Sequence, residues 1–257
     1  PHTQASIPPA NQLVLSSAQQ RQWLMSQLEP ERTAYNIPIA VRIEGKLSLK
    51  GLCSSLAQVV SRHDTLRTLY PSVEGIATPE ILEGAPQPMG DKAKSPVHLE
   101  LIDLGYLEKL AQRQEVTQTI AQQTKETFDL AQGPLWRSQI LRLSDREHIL
   151  IITFHHIVAD GWSMGILLKE ITAFYQAHQS GHRSGKALAA VFPPLPIRYG
   201  DYAAWQKSLD LSHQLAYWKD HLSGLAPLLA LPTAYARPAE PTGAGASYEF
   251  RLSQQAP

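Results

Sequence analysis

Residues Ile149-Leu150-Ile151-Ile152-Thr153-Phe154 run without a turn into His155-His156. A strand that is apolar on both faces belongs in the middle of a sheet covered on both sides. Its neighbour in sequence, from Trp136 to Leu143, joins it through Ser144-Asp145-Arg146-Glu147, a short hairpin connection. Side chains alternate across a strand, so His155 follows the face of Ile149, Ile151 and Thr153, while His156 follows Leu150, Ile152 and Phe154. Only one of the pair can enter a given cleft; the other must be satisfied inside the fold.

Around that strand the pattern alternates between the two periods. Ser17-Ala18-Gln19-Gln20 has capping-box spacing, and the segment from Ala18 to Leu28 reads as a helix. Asn36 to Glu44 alternates Ile37, Ile39, Val41 and Ile43, a strand pattern. Leu52, Leu56, Val59 and His63 share one helical face from Leu49 to His63, with Ser48 as N-cap. Leu66 to Tyr70 and Val97 to Ile102 read as further strands. A polar helix is predicted from Leu107 to Thr127, with Leu110, Val116, Ile120 and Phe128 inward. Met164, Leu167, Ile171 and Phe174 mark an amphipathic helix reaching about His178. Helices are also predicted from Tyr199 to Leu209 and from Leu211 to Leu222, then an extended stretch from Pro227 to Gly245 and a strand from Ser247 to Leu252. This order lacks a strict βαβ rhythm and predicts an α+β sandwich, a mixed sheet with helices on its faces.

Composition excludes several classes of function. Lys plus Arg total 23 and Asp plus Glu total 23, so no basic field is present to hold nucleic acid or anionic lipid. No apolar run approaches the roughly 20 residues that span a bilayer, and the expected compartment is the cytoplasm. The single cysteine, Cys53, allows no internal disulfide framework and no multi-cysteine metal site, and it reads as a small buried hydrophobe among Leu52, Leu56 and Val59.

Asp160 and Gly161 follow the paired histidines where the chain turns into the helix opened by Ser163. A carboxylate there can cap the helix, turn the loop or pair with a buried cation. Gly161 can serve an unusual backbone angle. Trp162, Tyr202 and Trp205 are expected to be packing residues.

His155-His156-Ile157-Val158-Ala159-Asp160-Gly161 resembles the His-His-x-x-x-Asp-Gly signature of the condensation-domain superfamily of nonribosomal peptide synthetases, which shares its fold with chloramphenicol acetyltransferase. Three further segments resemble that family's motifs in the same order: residues 15–24 (Leu-Ser-Ser-Ala-Gln-Gln-Arg-Gln-Trp-Leu), Arg62-His63-Asp64-Thr65-Leu66-Arg67-Thr68, and residues 199–206 (Tyr-Gly-Asp-Tyr-Ala-Ala-Trp-Gln). Asp64 stands where the family more often has Glu.

The resemblance implies residues 1–12 as an interdomain linker, 13–180 as an N-terminal chloramphenicol-acetyltransferase-like lobe, and 181–257 as connecting helices and a crossing towards a C-terminal lobe that this sequence lacks. It implies an acyltransferase that forms an amide between a carrier-bound acyl thioester and a carrier-bound aminoacyl acceptor. The substrates arrive on phosphopantetheine arms, with no covalently bound cofactor and no metal. The implied partners are donor and acceptor carrier domains, an adenylation domain and the second lobe. His156 is implied as the residue at the reaction centre. Gly161 offers a backbone N–H to the oxyanion, and His155, Asp160 and Arg62 support the site, Asp160 by pairing with Arg62. Two readings stay beside this one: an epimerisation domain of the same superfamily, which usually continues Val-Ser-Trp where Trp162-Ser163-Met164 stands here, and a silent scaffold that docks carrier domains.

Overall fold

A computed structural model describes residues 13–83, 97, 99–181, 191–226, 232–233, 235–236, 248 and 250–251. The elements in chain order are α1 (Ser17–Leu28), β1 (Asn36–Glu44), α2 (Leu49–Arg62), a 3-10 turn (Asp64–Arg67), and the short strands β2 (Thr68–Leu69), β3 (Ser72–Val73), β4 (Ile76–Ala77) and β5 (Glu80–Ile81). There follow β6 (Leu99–Asp103), α3 (Lys109–Lys125), β7 (Trp136–Ser144), β8 (Glu147–His155), α4 (Gly161–Gln179), α5 (Tyr199–Ser208) and α6 (Ser212–His221).

The main sheet has four strands in the order β1-β8-β7-β6. β8 pairs antiparallel with both β1 and β7, while β6 joins β7 in parallel, so the sheet is mixed. Every residue of β8 from His148 to His155 is buried, as the unbroken apolar run requires. One face carries Leu150, Ile152 and Phe154 against Leu56 and Val59 of α2 and Leu167, Ile171 and Phe174 of α4. The opposite face carries Leu141, Ile149 and Ile151 against Val116 and Ile120 of α3. This is the three-layer α+β arrangement that the sequence pattern predicts.

Several expected boundaries shift for local reasons. The N-cap of α1 is Ser16, one residue before the expected serine. Its Oγ accepts from Gln19 N–H at 3.2 Å, and Gln19 Oε1 accepts the Ser16 N–H at 3.1 Å. In place of a strand over residues 66–70, a 3-10 turn leads into a two-residue strand. The turn is fixed by Arg67 donating to the Asp64 carboxylate at 2.5 Å and by Thr68 Oγ1 donating to Asp64 O at 2.8 Å, local bonds that outcompete an extended chain. Leu110 faces outward at 71% exposure, because α3 presents Val116 and Ile120 to the sheet on a different stripe. Cys53 is buried, and burial pushes its thiol pKa up, consistent with an inert hydrophobe.

By internal contact the chain divides into Pro1–Leu209 and Asp210–Pro257. Within the second unit, α6 buries no residue, and Tyr217 stacks on His221 with ring centroids 5.5 Å apart. The predicted extended stretch from Pro227 to Gly245 falls almost wholly outside the described residues. So does much of the predicted strand near 247–252; its described members Tyr248, Phe250 and Arg251 are in no strand.

Ile151 is 1% exposed, at the middle of β8. Ile151→Ala is expected to lower unfolding free energy by about 2–5 kcal/mol, through lost transfer energy and the cavity left behind. Chemical denaturation monitored by far-UV circular dichroism measures it.

Candidate functional site

The end of β8 separates the two histidines as strand alternation requires. His155 is 5% exposed and lies between Tyr35 and Phe128, with ring centroids at 5.9 and 6.1 Å. Its Nδ1 accepts the Ile157 N–H at 3.1 Å, which pins the first turn of the loop. Burial, reinforced by the neighbouring His156, pushes its pKa down to about 4, so the ring is neutral at physiological pH. His156 is exposed and lines a cleft of about 410 Å³ in the first unit. Its backbone N–H donates to Tyr35 O at 2.8 Å, and its Nδ1 stands 3.4 Å from the carboxamide nitrogen of Gln22.

The cleft is built by the segments carrying the four motifs. Gln19 and Gln22 come from α1, Arg62 and His63 from the end of α2, Asp160 and Ser163 from the start of α4, and Tyr199 and Tyr202 from α5. Gln19 binds this assembly from within: its Nε2 donates to Tyr70 Oη at 2.8 Å and to Ile157 O at 3.2 Å, tying α1 to the loop after His156. Ser16 Oγ meets Tyr199 Oη at 3.0 Å, and the Ser17 N–H donates to Gln206 Oε1 at 2.8 Å, which docks α5 onto α1. Asp64 accepts from Arg67 at 2.5 Å and from Arg198 at 3.1 Å. The shorter acid therefore still links the second motif to the residue before the fourth.

The expected pair between Asp160 and Arg62 is not formed. Asp160 is the N-cap of α4: its Oδ1 accepts from Ser163 N–H at 2.8 Å and from Ser163 Oγ at 2.6 Å. These bonds from Ser163, side chain first, hold the Asp160 carboxyl below its usual pKa. Arg62 turns to Glu170 instead. Its Nε donates to Glu170 Oε1 at 3.0 Å and its Nη1 to Pro193 O at 2.6 Å, with the guanidinium over the Phe192 ring at 5.3 Å. The second Glu170 oxygen lies 2.7 Å from His63 Nε2. Glu170 occupies the buried stripe Leu167-Glu170-Ile171-Phe174 of α4. An acid on a core-facing stripe demands a cation, and that is the sequence signal that identifies it. Gln22 carries a similar signal, a polar residue on the buried face Gln19-Gln22-Trp23 of α1.

Two residues stand apart from the cleft wall. Gly161 has no positive φ, and a Cβ placed on it meets nothing within 4 Å, so neither backbone conformation nor internal packing calls for glycine there. Its N–H has no partner among the described residues, in keeping with the free amides that open a helix. Trp162, expected to be packed, is 84% exposed. Tyr202 and Trp205 are half-buried, their ring centroids 5.8 Å apart.

Burial raises the Glu170 pKa, but the bonds and charges of His63 and Arg62 outweigh it, and the net shift is downward. A depressed acid contributes stability above its unfolded value of 4.5 that is lost as pH falls through the folded value. Glu170→Ala is expected to cost about 3–5 kcal/mol by stranding Arg62, and Glu170→Gln to flatten the acid limb of stability. Melting temperature against pH for parent and variants measures both. Asp160→Ala removes only a cap and is expected to cost about 0.5–2 kcal/mol.

Comparison with known proteins places this geometry. The family model described as Condensation domain matches residues 10–256. The chain is 40% identical over 235 residues to malpinin synthetase of Mortierella alpina, covering 89% of this chain and 3% of the synthetase. It is 35% identical to phosphinothricin tripeptide synthetase PhsC of Streptomyces viridochromogenes, covering 93% of this chain and 21% of that protein. The X-domain from teicoplanin biosynthesis superposes with a TM-score of 0.72 at 27% identity, over 90% of this chain and 48% of the X-domain. The first condensation domain of the CDA synthetase shares the fold, with a TM-score of 0.70 at 23% identity over 88% of this chain and 53% of that one. The chain thus spans a small part of these synthetases and about half of each solved domain.

Proposed function

The chain belongs to the condensation-domain family, and from that premise we propose that it supplies the catalytic half of an amide-forming site in nonribosomal peptide synthesis. The observation that carries the reading is His156, held at the end of a buried strand and open to the cleft. A carrier-bound amine attacks the carbonyl carbon of a carrier-bound acyl thioester. The C–N bond forms, the C–S bond breaks, and the amine proton ends on the departing thiolate. His156 accepts that proton or orients the amine in line, while the fold holds both reactants together. The free Gly161 N–H, next to the cleft-lining Asp160 at the start of α4, is the donor proposed for the developing oxyanion. His155 and Asp160 hold the loop between strand and helix, and Arg62 locks the end of α2 to α4 through Glu170.

The finer assignments follow from the same premise. The substrates travel on phosphopantetheine arms of donor and acceptor carrier domains, beside an adenylation domain, in the cytoplasm. Among the described residues no helix is long and apolar enough to cross a membrane. Residues 13–180 form the first lobe, and 181–257 lead towards a second that closes the cleft. A docking scaffold is the second reading, favoured by likeness to an X-domain solved in complex with OxyB. A histidine open to the cleft argues for chemistry here.

In a domain completed by its second lobe, His156→Ala is expected to slow amide formation by about 10²–10⁴-fold while melting like the parent. A single-turnover assay with both carriers loaded decides between the readings. Near-parental product from the folded variant would overturn the role of His156, and no product from the parent would leave the scaffold.

A further inference from the structure

Gln22 lines the cleft, yet the proposed chemistry gives it no role. It is 8% exposed, and its carboxamide nitrogen stands 3.4 Å from His156 Nδ1. With that end towards the ring, Gln22 Oε1 is buried with no partner among the described residues. A buried oxygen left unpaired is unfavourable. The two ends of a carboxamide have the same shape, so the hydrogen bonds around it decide which end faces the imidazole.

We infer that Gln22 is a positioning residue whose Oε1 accepts the Nδ1–H of His156, fixing the tautomer that presents a bare Nε2 to the cleft. The inference rests on the reading of His156 as the group that receives or orients the acceptor amine, since only an unprotonated ring nitrogen can accept. The geometry leaves Nε2 free to do so, because Nδ1 is taken up by Gln22 and Nε2 makes no hydrogen bond among the described residues. The ring's attachment is fixed separately, by the His156 N–H donating to Tyr35 O at 2.8 Å. Gln22 therefore acts on the state of the ring, with its place in the loop already set.

The demand is real because a free imidazole in water prefers its proton on Nε2. A site that needs Nε2 bare must supply an acceptor at Nδ1, as the carbonyl or carboxylate partners of catalytic histidines do. Turning the amide moves its NH2 group to where Oε1 lay. The gain is thus at the imidazole, and the imidazole is what a test must read.

Nitrogen NMR of this chain with 15N-labelled histidine reads it directly, at about pH 8.5, some two units above the ordinary imidazole pKa. A His156→Gln spectrum identifies the signal. The expected result is His156 protonated on Nδ1. Gln22→Glu, which keeps an acceptor, retains that tautomer, while Gln22→Met, of similar length without one, reverts to the Nε2–H form. In the completed domain Gln22→Met slows condensation by about tenfold or more, the scale on which loss of a histidine's orienting partner is felt, and Gln22→Glu restores it. A parent spectrum dominated by Nε2–H, or a Gln22→Met spectrum unchanged from the parent, would overturn the inference. A His156→Ala domain that still condenses would overturn the reading of the site and leave the tautomer result standing.

Discussion

From His148 to His155 strand β8 has no residue open to water, so its backbone can be satisfied only by β1 on one side and β7 on the other. That double pairing sets the register of the sheet and fixes the point where the chain leaves it. The exit matters more than the strand. His155 is the last buried residue of the ladder, its N–H donated to Leu135 O at 2.9 Å, and His156 is the first outside it, its N–H donated to Tyr35 O at 2.8 Å. The His156 imidazole is thereby held at the mouth of a rigid core, one residue beyond the ladder.

Glu170 organises the helical layer over that core. One buried carboxylate joins Arg62 and His63 at the end of α2 to the middle of α4, and both helices lie against the face of Leu150 and Ile152. The cleft opens between the end of α2, the start of α4 and the amides of α1. Because Asp160 caps α4 and the His156 N–H is held by Tyr35 O, the loop from His156 to Asp160 is tied at both ends. Capping by Asp160 and charge pairing by Glu170 divide roles that the motif alone would assign to a single aspartate.

Sequence was legible wherever periodicity and chemistry agreed. Asn36–Glu44, the Ser48 cap of α2, the opposite faces of His155 and His156 and the reach of α4 all follow from spacing of two or 3.6 residues. What escaped was partnership across distance. Arg62 and Glu170 are 108 residues apart, and nothing local to either names the other. Ser16 and Ser17 both suit a cap, and only the reciprocal bond with Gln19 separates them. Leu110 was misplaced because α3 is polar enough that two stripes look equally inward. Gln22 sits beside the aromatic of its motif, where packing is the ordinary expectation; its closeness to His156 arises 134 residues away.

On the proposed reading this chain carries the reacting half of a two-walled site, and the other wall is needed for it to work. The cleft is open here, with Trp162 at 84% and Ile166 at 44% exposure beside it. Proximity of both reactants supplies much of the rate in such a reaction. The direct measurement is amide formation from loaded donor and acceptor carriers, with this chain alone and then with a complementing C-terminal lobe added in trans. Efficient product is expected only when both are present, and formation about 10²–10⁴-fold slower when the chain carries His156→Ala. Efficient product from the chain alone, or near-parental product after the substitution, would contradict this reading.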